Sequence, residues 1–175
     1  MTDQEFLKEL VKRQILKEDL ADRILRDAQL LKRPAEELLY VERLVDEEKV
    51  VKIKSELFGA PYKKVDPELI SEDVLRLIPK ETSQNYRVVP LERQKNMLIV
   101  GMLRPDDSAA QEVLRFIAKR ERLSLGVFVI TPTDLTAVWR RYAPYRSEIE
   151  TAVQELTIKG EDERVALEAG AARAE

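Results

Sequence analysis

The chain has 175 residues, 36% charged and 44% hydrophobic, with a formal net charge of -3, the composition of a soluble, helix-rich protein with one medium domain or two small subdomains. It contains no cysteine and no histidine, which excludes disulfides, zinc sites built on those ligands and nucleophilic triads that need imidazole or thiolate. No apolar run approaches the ~20 residues of a membrane span, no leader precedes a cleavage site, and the five glycines (Gly59, Gly101, Gly126, Gly160, Gly170) stand in no phosphate-cradling context.

Thr2 and Glu5 form a capping box that opens a helix with Phe6, Leu7, Leu10 and Val11 at helical spacing. After a break at Gln14 to Lys17, Leu20, Ile24, Leu25 and Ala28 predict a second helix. Pro34, placed in a first turn, starts a third with Leu38, Leu39 and Val41 inward. Asp46 caps a fourth with Val50, Val51, Ile53 and Leu57 inward, stopped by Gly59 and Pro61. A shift of 29 positions lays Leu10 on Leu39, Ile15-Leu16 on Leu44-Val45, Glu18-Asp19 on Glu47-Glu48 and Ile24 on Ile53. A lone helical hairpin cannot bury its apolar stripe, so residues 1–58 are expected to be two stacked hairpins.

The period then changes. Ser71 caps a short helix running to Ile78 and ended by Pro79, and Lys80 to Tyr86 adds another turn or two. Arg87–Glu92 and Met97–Met102 predict a hairpin joined through Gln94-Lys95-Asn96, with Pro90 marking an edge strand. Asp107 caps a helix from Ser108 to about Arg120, Leu123–Ile130 is a third strand, and Thr131-Pro132-Thr133-Asp134 is a capping box opening a last helix through Leu135, Val138, Trp139 and Tyr142. The expected fold class is α+β: a helical-hairpin repeat, then a small antiparallel sheet of about three strands covered by helices. The division is 1–58 helical, 59–143 α+β, and 144–175 a linker or tail, acidic and alanine-rich, with a marginal helix at Glu148 to Ile158, leading toward a further domain.

Residues 58–143 carry 14 basic and 11 acidic side chains, and residues 1–57 carry 12 and 14, so no segment is basic enough to hold nucleic acid. Asp106-Asp107 reads as a helix cap rather than an acid–base or metal pair. Arg120, Arg122, Arg140 and Arg141 read as a solvated, dipole-complementing face before a docking patch, and Trp139 and Tyr142 as core before interface anchors. No catalytic, cofactor or metal residue is assigned.

In order and spacing, the chain resembles the N-terminal domain of the type II secretion and type IV pilus assembly ATPases (the GspE/PilB family), a region shared with the MshE-type cyclic di-GMP receptors. The carrying residues are Leu57-Phe58-Gly59-Ala60-Pro61-Tyr62, Leu75-Arg76-Leu77-Ile78-Pro79, Tyr86-Arg87-Val88-Val89-Pro90-Leu91 and Leu98-Ile99-Val100-Gly101-Met102 followed by Pro105 and Asp107, with Asp134 and Tyr142 in the last helix. The resemblance implies a noncatalytic cytoplasmic domain, peripheral to the inner membrane through its partners and not itself inserted. Those partners are protein components of the secretion or pilus machine, such as a membrane-anchored platform protein, and the hexameric ATPase core would lie outside this chain. Some relatives bind cyclic di-GMP through an Arg-Leu-Gly start and a later glycine in each helical copy. Here those places read Glu5-Phe6-Leu7 with Gln14, and Pro34-Ala35-Glu36 with Arg43. The resemblance therefore implies docking with cyclic di-GMP binding unlikely, and a second-messenger sensor is the alternative.

Overall fold

The computed structural model describes residues 1–142. The expected linker and the helix at Glu148 to Ile158 lie outside the described residues. Residues 1–138 make one compact unit, and a second begins at Trp139.

Four helices come first: α1 (Asp3–Lys12), α2 (Glu18–Leu31), α3 (Ala35–Val41) and α4 (Glu47–Phe58). Thr2 and Glu5 form the expected capping box, and the Asp46 side chain accepts from the Lys49 amide. Gly59 ends α4 at φ 63, the left-handed conformation that costs glycine least. Phe6, Leu7, Leu10, Ile24, Leu38, Leu39, Val50 and Ile53 meet in one core, where Ala21, absent from the expected stripe, is also buried. Val41, expected inward, is exposed because α3 ends at that residue, and Pro34 sits at the cap position rather than in the first turn.

The repeat is visible in the backbone. Gln14 donates to the Val11 carbonyl (2.9 Å) and Ile15 to Leu10 (2.9 Å); 29 residues on, Arg43 donates to Tyr40 (3.1 Å) and Leu44 to Leu39 (2.9 Å). The same pair of bonds closes the same turn twice.

A 3₁₀ turn (Pro67–Leu69), α5 (Glu72–Leu75) and α6 (Lys80–Tyr86) lead into β1 (Val88–Gln94) and β2 (Met97–Met102). The short α5 stops before Leu77 and Ile78, and Arg87 is a left-handed cap of α6 rather than the first strand residue. After α7 (Ser108–Arg120) come β3 (Ser124–Val129) and α8 (Pro132–Tyr142). The sheet order is β1-β2-β3. β1 and β2 are antiparallel, with an irregularity between Pro90 and Glu92 on the edge strand, as proline at an edge allows.

The α+β class stands, but the sheet is mixed and not wholly antiparallel, because β3 runs parallel to β2 from Met97↔Ser124 to Met102↔Val129. The cause is the connection: α7 carries the chain back to the starting end of β2, and a helical crossover of that kind yields parallel neighbours where a tight turn yields antiparallel ones. Leu98, Val100 and Met102 of the sheet pack on Ala110, Leu114 and Ile117 of α7. Pro61 to Lys63 adds a short rung outside β3, with Val129 N–H donating to Pro61 (2.9 Å) and Lys63 N–H to Val129 (3.2 Å). Thr131 and Asp134 exchange bonds between each amide and the other's side chain at the start of α8, as expected.

Candidate functional site

The helical repeat holds the positions the sequence singles out. In the first copy, Glu5 is engaged by Thr2, whose amide donates to Oε2 at 2.7 Å, and this bond holds the Glu5 carboxyl below the usual range. Phe6 and Leu7 are each 2% exposed and belong to the helical core. In the second copy, Pro34 is exposed, Ala35 is buried, and Glu36 is 7% exposed. The positions equivalent to Leu7 and Glu36 thus carry inward-packed side chains, which occupy the space that a glycine would leave open to an approaching ligand.

The later pair behaves differently. Gln14 and Arg43 are exposed, with φ of 60 and 54. The left-handed turn is present at both, although neither is the residue type that adopts it at least cost.

Glu36 is the centre of a polar cluster that periodicity alone does not announce. Lys54 Nζ donates to its Oε1 at 2.7 Å and the Tyr40 hydroxyl donates to the same oxygen at 3.0 Å. Lys54 is 1% exposed. Burial pushes its ammonium below the usual lysine range while the Glu36 carboxylate pulls it back up. Burial, with the Glu36 charge beside it, also drives the Tyr40 phenol well above its ordinary value. The signal was present in the pattern: Lys54 falls on the stripe defined by Val50, Val51 and Leu57, and Glu36 lies one turn before Leu39 and Tyr40.

The other candidates separate. Asp107 Oδ1 accepts from the Ala110 amide (3.1 Å) and caps α7. Asp106 instead accepts from Arg104 Nε (3.0 Å) and the Met1 amine (3.1 Å). Burial pushes the Asp106 carboxyl up, but these donors outweigh it and leave it below the usual aspartate range. The two carboxylates face different partners and make no acid–base pair. Arg120 pairs with Glu121 at 3.4 Å, Arg122 and Arg140 are exposed, and Arg141, Trp139 and Tyr142 are half-buried. Among the described residues no group of three or more acidic side chains could hold a metal ion, and no helix is long and apolar enough to cross a membrane.

Residues 58–151 match the MshEN domain family. The type IV pilus assembly ATPase PilB of Myxococcus xanthus (strain DK1622) is 30% identical over 73 residues, which are 42% of this chain and 13% of PilB. The chain thus spans a small fraction of that relative. In fold, the chain is similar to the structure of MshE with cdg (TM-score 0.60, 19% identity, 78% of this chain and 97% of that one). It is equally similar to the N-terminal domain of XpsE (TM-score 0.60, 19% identity, 81% and 96%). Together these define a class by fold, shared with the structure of MshE with cdg and the N-terminal domain of XpsE. Within it the chain belongs to the MshEN domain family, whose match covers more than half of the 175 residues.

Proposed function

We propose that this chain is a noncatalytic docking and regulatory domain of a type II secretion or type IV pilus assembly ATPase. It joins a motor outside the chain to protein components of the machine, a membrane-anchored platform protein foremost. In this reading residues 1–58 and 59–143 form the docking body, and 144–175 is the linker through which docking biases the motor. Binding energy alone suffices for that, since a partner that prefers one arrangement of the domain shifts its population. The working place is the cytoplasm, at the inner membrane through partners.

The observation that carries the reading is the burial of Leu7 and Glu36, the latter locked by Lys54 at 2.7 Å. A nucleotide approaching the backbone at either place meets a packed side chain. A second reading, a cyclic di-GMP sensor, draws on the fold shared with the structure of MshE with cdg and on the left-handed turns at Gln14 and Arg43. Isothermal titration of the purified chain with cyclic di-GMP separates the two. The docking reading expects no saturable heat; saturable micromolar binding reverses the ranking.

A further inference from the structure

The geometry points to the outer edge of β3 as a strand-addition site, and we propose that it takes an extended, acid-flanked segment of a partner protein. The inference rests on the docking reading and gives it a surface. The Ser124 amide donates to Asn96 and the Ile130 amide to Met102, so even-numbered residues of this strand bond toward β2. Odd-numbered residues point the other way, as Val129 does when it bonds Pro61 and Lys63. Strand alternation then leaves the N–H and C=O groups of Leu125 and Val127 directed away from the sheet, with no backbone partner among the described residues.

The two edges of this sheet are treated differently. β1 carries Pro90, an irregularity in its pairing, and the charges Glu92 and Arg93, the devices by which edge strands refuse company. β3 reads Ser-Leu-Gly-Val-Phe-Val, with neither a charge nor a proline. Residues 125 to 128 are half-buried. The Pro61 to Lys63 rung, paired parallel at Val129, shows that this edge accepts a strand, yet the rung covers only its far end.

Charge selects the occupant. Arg122 lies just before the strand and is exposed, Lys119 and Arg120 precede it, and Lys63 and Lys64 flank the opposite end. Against these stand Glu121, paired with Arg120, Glu92, paired with Lys63, and Glu47, Glu48 and Asp134, whose charges act on Tyr62 of the rung. A second copy pairing antiparallel along this edge would bring Arg122 beside the lysines of its mate, which repel. A segment with acidic residues at both ends and alternating apolar residues between them meets the exposed Arg122 at one end, the exposed Lys64 at the other and backbone bonds in the middle.

The probe is a synthetic peptide of alternating Val and Thr flanked by Asp and Glu, with a Lys-flanked twin, followed by fluorescence anisotropy and amide NMR on the full 175-residue chain. The expected result is saturable binding of the acidic peptide, with shifts at Leu125 and Val127, and about tenfold weaker binding of the twin. Val127→Pro removes an outward N–H without touching the β2 ladder, and is expected to weaken the acidic peptide by about tenfold or more. Lys64→Glu with Arg122→Glu, both exposed positions that leave the fold intact, is expected to do the same. No saturable binding, equal binding of the twin, indifference to the charge reversals, or self-association through this edge in sedimentation each overturns the proposal. Such a failure leaves the docking reading standing, since docking elsewhere keeps the cyclic di-GMP result unchanged.

Discussion

Replacing Lys54 by methionine tests the buried cluster most directly. The Glu36 carboxylate accepts from Lys54 at 2.7 Å and Tyr40 at 3.0 Å, both on Oε1, with side-chain exposures of 2% for Lys54 and 9% for Glu36. Methionine fills much of the lysine stem's volume, so the cavity contribution is small. What remains is a carboxylate out of water with one neutral hydrogen-bond donor and only the more distant Arg104 charge, and breaking a buried pair from one side costs about 3–5 kcal/mol. With a urea slope of about 2 kcal/mol per molar, the unfolding midpoint should fall by about 2 M. Lys54→Met with Glu36→Leu should recover most of the loss, because removing both charges removes the desolvation penalty as well. Circular dichroism melts in urea read this out. A deficit under about 1 kcal/mol would refute the buried pair.

Gln14→Gly and Arg43→Gly should each stabilise the chain by under about 1 kcal/mol, since relief of the left-handed penalty exceeds glycine's extra unfolded-state entropy. A rise of at most about 2–4 °C in melting temperature is expected, and a fall in both variants would contradict the turn geometry. Asp106 has a folded pKa held below its unfolded value, so its contribution is present above about pH 4 and lost as pH falls through the folded pKa. Asp106→Asn should therefore lower stability at neutral pH and flatten the stability profile below about pH 4; an unchanged acid slope would sink the assignment.

Much of the fold is legible in the sequence. Caps announce themselves chemically, so Thr2, Asp46, Asp107 and the Thr131–Asp134 box fall where their side chains dictate. The 29-residue repeat is carried by apolar spacing and a recurring acidic pair, and it reappears as duplicated turn bonds. The direction of β3 did not emerge, because alternation marks which face of a strand is buried and is blind to parallel against antiparallel partners. Lys54 escaped for a related reason. A charged residue on an apolar stripe looks like noise until Glu36, 18 positions earlier, is known to sit opposite it. Arg87 illustrates a third limit: nothing in its own chemistry announces the left-handed turn it adopts at φ 52.

The helical excursion between β2 and β3 also orders events in time. Val88 to Met102 can zip as a local hairpin on the microsecond scale, whereas the third strand joins only after the 21 residues between Met102 and Ser124 have closed into a loop. That late, non-local step is where the folding rate is expected to be set, and interruption of α7 should slow maturation of the sheet while sparing the hairpin.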